Sequence, residues 1–385
     1  MVTTGLDYLL NHPGEAPSGR IGLITNHSAV TGSLQSGVDA LRQAGLNIVA
    51  LYGPEHGVRG DAAAGAHVNS GADPRTGLPV FSLYGPTRKP SPEMLEGVDA
   101  LIFDLQDVGA RYYTFLYTMS YCMEAAGENG IPIVVLDRPN PLGGIEVEGN
   151  IVKPGCTSFV GMHPLANRHG LTTGELARYY RDALGVSCDL TVIKMQGWKR
   201  SMHWEETGLQ WVMPSPNIPT LDTVRAYPGM CFIEGTTLSE GRGMTKPFEV
   251  VGAPYIDADA LADALNGQNI PGVRWRALHF IPDSSKHKGV PCHGCQLHVV
   301  DREAFKPVAT GVKLLSTLKS QYRADFQWLP PFTEGRPPFV DLLGGGPGLR
   351  EDVDAGRAPD EIIAEWQPEL AEYDSARRSV FLYDD

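Results

Sequence analysis

The sequence predicts an α/β protein, a doubly wound parallel sheet followed by a smaller α+β domain. Three observations predict it. Short apolar runs alternate with amphipathic helical patterns through the first ~225 residues, the signature of strand–helix–strand units. The runs are near-continuously apolar, as strands covered on both faces must be. The length of 385 residues accommodates two domains at roughly 150 residues each.

The elements follow in order. Ile21–Thr25, Ile48–Tyr52, Val80–Leu83, Ala100–Leu105, Ile131–Leu136 and Leu190–Lys194 read as strands. Leu34–Ala44 reads as an amphipathic helix and Pro92–Gly97 as a short one. From Thr114 to Glu128, the residues Phe115, Leu116, Met119, Cys122, Met123 and Ala126 fall on one helical face. A helix starts near Thr172, where Thr172-Thr173-Gly174-Glu175 fits a capping box. Trp211–Gly243 is rich in Pro, Gly, Ser and Thr, and a loop of that length is usually functional. Beyond it, Asp257–Asn266, Gly311–Tyr322 and Pro359–Gln367 read as helices and Cys295–Val300 as a strand. The expected domains are 1–228 and 229–385.

Charge narrows the partners. Lys and Arg number 32 against 45 Asp and Glu, a net charge of −13, and no basic block is present to displace nucleic-acid counterions or to hold anionic lipid. The apolar run at Ile131–Leu136 is far too short to span a bilayer. The N-terminus MVTTGLDYLLNHPG lacks a basic stretch, an apolar core and a small-residue cleavage site. The sequence as written therefore predicts a cytoplasmic protein, or an exported one if it has been trimmed. Six cysteines are too few for a disulfide framework. Cys292 and Cys295 have metal or redox spacing but no second ligand pair, and no role is assigned to them.

Ligands of an open parallel sheet bind beyond the carboxyl ends of its strands. Asn26-His27-Ser28 follows the first strand, and Gly53-Pro54-Glu55-His56-Gly57-Val58-Arg59-Gly60 the second. Tyr84-Gly85 follows the third, Asp104 to Tyr112 the fourth, and Asp137-Arg138-Pro139-Asn140-Pro141 the fifth. Asp, Asn, Gly and Pro also make turns, so Asn26, Pro139 and Asn140 are ambiguous. For Glu55 the turn reading is weaker, because Glu is a poor turn former and stands in a loop on a rigid scaffold. Asp104 and Asp107 have structural alternatives, a helix N-terminal role before Thr114 and an ion pair with Arg111. The run Glu234 to Gly243 is a further candidate loop, or one that packs the two domains together.

The dinucleotide fingerprint, the phosphate-binding P-loop and the serine nucleophile elbow are all missing. What remains is carboxylates, histidines, arginines (Arg59, Arg111, Arg138, Arg242) and aromatics (Tyr84, Tyr112, Tyr113, Trp211) at one sheet edge. Paired carboxyl groups suit glycoside hydrolysis, aromatic faces suit sugar rings, and a fixed arginine suits a carboxylate.

The motifs GLITNHSAVT, LYGPEHGVRGD, FDLQDVGARYYTF, VLDRPNPLGG, SFVGMHPLANRHGLTTGELA, PSPNIPTLDT and EGTTLSEGRGMTKPFE together resemble the exo-β-N-acetylmuramidase family of peptidoglycan recycling, formerly an uncharacterised-domain family. The resemblance implies a Rossmann-like catalytic domain with a smaller C-terminal domain. It implies release of N-acetylmuramic acid (MurNAc) from non-reducing ends of peptidoglycan fragments, without metal or nucleotide, which fits the absence of nucleic-acid binding and of membrane insertion expected from charge and the short apolar runs. The family's catalytic glutamate matches Glu55. Asp107 is the first choice for a second carboxylate, with Asp104 and Glu240 open. His56 or Tyr112 is expected to orient Glu55, and Arg59 or Arg111 to pair with the lactyl carboxylate. Asn26, Arg138, Asn140, Asn217 and Arg242 complete the expected substrate-binding set. Two alternatives stand beside this reading. One is a metal-dependent amidohydrolase drawing on His27, His56, Asp104 and His163; the other is a sugar-binding protein without turnover.

Overall fold

The computed structural model describes residues 1–60 and 70–385. Its centre is a sheet with six parallel strands: β1 (Ile21–Thr25), β2 (Ile48–Gly53), β3 (Pro79–Ser82), β4 (Ala100–Asp104), β5 (Ile133–Leu136) and β6 (Leu190–Ile193). Their spatial order is β3-β2-β1-β4-β5-β6, with the two-residue strand Gly71–Ala72 antiparallel at the β3 edge. That is the order of a doubly wound dinucleotide-type sheet, and its switch point lies between β1 and β4.

Alternation along the strands builds two apolar layers. Ile21, Leu23, Ile102 and Val134 pack on one face with Leu6 and Leu9 of helix α1 (Gly5–Asn11) and Val38 and Leu41 of α2 (Gly37–Gln43). Ile24, Leu101, Phe103 and Val135 pack on the other with Met119, Cys122 and Met123 of α3 (Phe115–Asn129). Both capping-box bonds form at Thr172 and start α4 (Thr173–Arg178). The short helix expected at Pro92–Gly97 is instead a run of turns.

The loop expected at Trp211–Gly243 contains a helix, α5 (Leu221–Met230), whose cap is the Thr220 hydroxyl accepting from the Thr223 N–H. Pro228 and Gly229 lie inside it, and packing explains why they are tolerated. A Cβ on Gly229 would stand 1.9 Å from the Pro307 carbonyl oxygen, and one on Gly311 would stand 2.5 Å from that of Gly229. The backbones of α5 and α7 (Pro307–Gln321) therefore meet at two glycines.

The second part has a three-stranded antiparallel sheet in the order β7-β9-β8, with β7 at Val250–Ala253, β8 at Val273–Phe280 and β9 at Cys292–Val299. Helix α6 (Ala258–Gly267) covers it, and α5 packs against β9. Cys292 and Cys295 are free and buried, and three residues apart on β9 they face opposite sides of the sheet. One apolar core contains Ile24 and Phe103 of the first part together with Leu238, Val251 and Leu315 of the second. The C-terminal helix α8 (Gln367–Arg378) returns to the first part. There Arg377 donates to the carbonyls of Gly144, Ile145 and Gly170, and the Tyr383 hydroxyl to Asp137. No helix among the described residues is long and apolar enough to cross a membrane.

Candidate active site

Glu55 sits two residues beyond β2 and is half-buried. The loop that carries it is tightly wound. A Cβ on Gly53 would lie 3.0 Å from the Val58 nitrogen, and buried His56 adopts φ 73°, a left-handed conformation that costs a non-glycine residue free energy and concentrates at functional sites. Two hydroxyls fix the Glu55 carboxyl. Thr114 Oγ1, just ahead of α3, donates to Oε2 at 2.8 Å, and the Tyr84 hydroxyl beyond β3 is also hydrogen-bonded to Glu55. Burial, then the charge and hydrogen bond of Glu55, push the Tyr84 phenol up to about 12, while Arg88 and Arg242 pull it the other way. The Tyr113 phenol is pushed well up, first by burial and then by the charges of Glu55 and Asp107. Glu55, Tyr84, Tyr113, Thr114 and Arg242 thus gather where the first part meets the second.

The loop Glu234 to Gly243 supplies the other wall. Arg242 bonds Glu234 at 2.7 Å and Glu240 at 3.2 Å, and lies 5.0 Å over the Phe248 ring. Glu240 is buried between Arg242 and Lys286, the latter at 2.7 Å. Arg242 and Glu240 are therefore a cross-linked pair beside Glu55.

Asp107 is buried with one oxygen engaged. Its Oδ2 accepts from the Gly109 N–H at 2.7 Å and from His169 Nε2 at 3.0 Å. The Leu171 N–H donates to His169 Nδ1, which places the imidazole proton on Nε2. Asp107 Oδ1 has no hydrogen-bond partner among the described residues, and neither do Asn26 Nδ2, Gln106 Oε1 and Tyr113 Oη. Buried polar atoms are otherwise nearly always paired.

Several expected site residues are engaged by other groups of the protein. Asp104 pairs with Arg138, not Arg111, and the two side chains are 1% and 4% exposed. Arg138 also donates to the Val30 carbonyl. Arg111 is 0% exposed and gives its terminal nitrogens to the carbonyls of Asn150, Leu165 and Leu343 and to Asn150 Oδ1, so it cannot meet a substrate carboxylate. Arg59 forms a two-pronged pair with Asp73 at 2.8 Å for each bond. Tyr112 is buried, donates to the Pro228 carbonyl and accepts from Asn167; it joins the two parts and does not orient Glu55. Asn140 closes a turn, bonding the Leu171 carbonyl and the Leu142 N–H. Asn26 accepts from the Ser28 N–H and hydroxyl. Asn217 is half-buried, its backbone N–H bonded to the Ser215 hydroxyl. Trp211 packs edge-on against Trp204.

His27 donates through Nε2 to the Met213 carbonyl, and burial lowers its pKa. His163 meets the Ser120 hydroxyl, with burial pushing it down to about 4. Among the described residues no three His, Cys, Asp or Glu side chains are arranged to hold a metal ion. Asp61, the last residue of the Glu55 motif, lies outside the described residues.

Thr114, His169 and Arg88 had no assigned role in the sequence. The first two stand inside recognisable motifs, but only folding shows that they reach Glu55 and Asp107.

The chain was compared with known proteins. The family model for the N-terminal part of exo-β-N-acetylmuramidase NamZ matches residues 21–222, and that for its C-terminal part matches residues 225–383. The peptidoglycan β-N-acetylmuramidase NamZ of Bacillus subtilis (strain 168) is 47% identical over 384 residues, which is 99% of this chain and 91% of that protein. Two crystal structures of DUF1343 family proteins from Bacteroides fragilis are similar along the whole chain and cover 99% of each neighbour. Their TM-scores are 0.91 and 0.79, at 37% and 30% identity. This chain belongs to the exo-β-N-acetylmuramidase NamZ family.

Proposed function

We propose that the chain is an exo-acting glycoside hydrolase that releases MurNAc from non-reducing ends of peptidoglycan fragments, with Glu55 as the general acid. One observation carries the assignment of Glu55: its carboxyl is half-buried where the two parts meet, fixed by Thr114 and Tyr84. A general acid must be held within reach of the leaving oxygen and in one orientation, and two hydroxyls from different elements supply that. Glu55 delivers its proton to the glycosidic oxygen as the bond to the anomeric carbon breaks, and water completes the hydrolysis.

Among the candidates for a second carboxylate, Asp104 is neutralised by Arg138, and Glu240 by Arg242 and Lys286. Of these three, Asp107 alone keeps an oxygen with neither a hydrogen-bond nor an ion-pair partner among the described residues. We assign it to assist the N-acetyl group or to activate water, with His169 holding its rotamer. The test is incubation with MurNAc–GlcNAc and mass analysis of the products. Free MurNAc is expected, together with a loss of at least ~100-fold in turnover for Glu55→Gln, the lower range for acid–base catalysis. An intact or deacetylated disaccharide refutes the glycosidase reading, and near-normal turnover by Glu55→Gln refutes the role of Glu55.

A further inference from the structure

The sugar that this reading releases carries a carboxylate, and the walls of the site are acidic: Glu55, Glu234 and Glu240 all lie there. An anion entering such a site needs a cation that is not already neutralised. The cations expected to fill that role are engaged. Arg59 holds Asp73, Arg138 holds Asp104, and Arg242 holds Glu234 and Glu240. Arg111 is buried among carbonyls. Lys286 binds Glu240 and two backbone carbonyls, and Lys89 binds Glu124 and Glu128.

Arg88 differs from all of these. It is exposed, and no carboxylate lies within ion-pair distance of it among the described residues. Its guanidinium lies 4.1 Å from the centre of the Phe159 ring, and that ring packs 6.0 Å from Tyr84, the residue hydrogen-bonded to Glu55. The positive charge of Arg88 also reaches the Tyr84 hydroxyl. A guanidinium stacked on an aromatic face is pre-organised, and its edge N–H groups remain available to a planar carboxylate in two-pronged fashion.

We propose that Arg88 is the carboxylate-binding residue of the site: stacked on Phe159 beside Tyr84, it receives the lactyl carboxylate of the muramic acid ring, an assignment that rests on the glycosidase reading above. It makes Arg88 the residue that separates muramic acid from a neutral amino sugar.

The test compares two chromogenic β-glycosides, one of MurNAc and one of its lactyl primary amide, which has the same shape without the charge. Wild-type protein is expected to prefer the acid by ~10- to 100-fold in kcat/KM, the range for a charge-assisted hydrogen-bonded pair. Arg88→Ala is expected to bring that ratio close to one, and Arg88→Lys, which keeps the charge but loses the fork, to leave an intermediate ratio. Arg88 is exposed, so thermal melting of both variants should match the wild type. A ratio that persists in Arg88→Ala overturns the assignment, as does a wild type that treats the two glycosides alike. A wild type that cleaves neither glycoside, and releases no sugar from MurNAc–GlcNAc, overturns the glycosidase reading itself.

Discussion

Two acidic side chains along the carboxyl edge of the main sheet, Asp104 and Glu55, have contrasting surroundings. At the switch point between β1 and β4, where a fold of this type ordinarily admits a dinucleotide, Asp104 is locked to Arg138, Arg138 reaches across to the Val30 carbonyl, and Gln106 bonds the carbonyls of Asp107 and Pro139. The crevice is filled by the protein's own polar groups. Toward the β3 edge, Glu55 accepts from the Thr114 hydroxyl, is hydrogen-bonded to the Tyr84 hydroxyl and stays half-buried. The fold has retained a nucleotide-type sheet, and the carboxylate proposed above as the general acid stands off the usual ligand position, at the junction with the second part. Position in the topology therefore marks an edge to search, and the partners of each carboxylate distinguish a strut from a reagent.

That contrast can be broken at its structural end first. Arg138→Ala strands the Asp104 carboxylate in the interior and is expected to cost about 3–5 kcal/mol of stability, read from the urea unfolding midpoint. Glu55→Gln should leave the midpoint in place while abolishing turnover. If Arg138→Ala unfolds like the wild type, the switch-point pair is not a strut. At the reactive end, Tyr84→Phe removes one of the two hydroxyls on Glu55. Roughly a tenfold fall in kcat is expected, equivalent to ~1.4 kcal/mol, with melting unchanged; an unaltered kcat would mean that the Tyr84 hydroxyl does not position Glu55.

The smallest effect lies beside the Glu55 loop, in the Arg59–Asp73 pair. Hydrogen bonds from Arg59, then from Thr76, hold the Asp73 carboxyl at about 2 against an ordinary value of 3.8. Between those two values the unfolded chain binds more protons than the folded one. The contribution of the pair is therefore complete above pH 3.8 and is lost as the pH falls toward 2. Asp73→Asn should cost about 1 kcal/mol or less at neutral pH, given the partly exposed Arg59. The gap to wild type should close across that acid window; a gap independent of pH would mean that the pair contributes packing only.

The central parallel strands β1, β4 and β5 were legible because each is buried on both faces and so reads as a near-continuous apolar run, as Ile21–Thr25 and Ala100–Asp104 do. Strand β8 also carried its signal, with buried Val273 and Trp275 alternating with exposed Arg274 and Arg276, but no continuous run announced it. Helix α5 was hidden by Pro228 and Gly229, residues that disfavour a helix locally and are accepted because the glycine lets α7 approach. At the site, local spacing pointed to Glu55 because Glu in a Gly/Pro loop needs a reason. The arginines were not legible. The partners of Arg111 stand 39, 54 and 232 residues away along the chain, so its sequence neighbours say nothing about whether its charge is free. Arg88 was overlooked for the converse reason, since its distinction is the lack of a carboxylate, which only three dimensions reveal.

The glycine crossing of α5 and α7 has a consequence for how the molecule can be divided. The two family-model matches end and begin at residues 222 and 225, both inside Leu221–Met230, and the helix is welded backbone to backbone onto the half that follows it. Severing the chain there would leave an apolar surface bare on both fragments, so neither is expected to be an autonomous module.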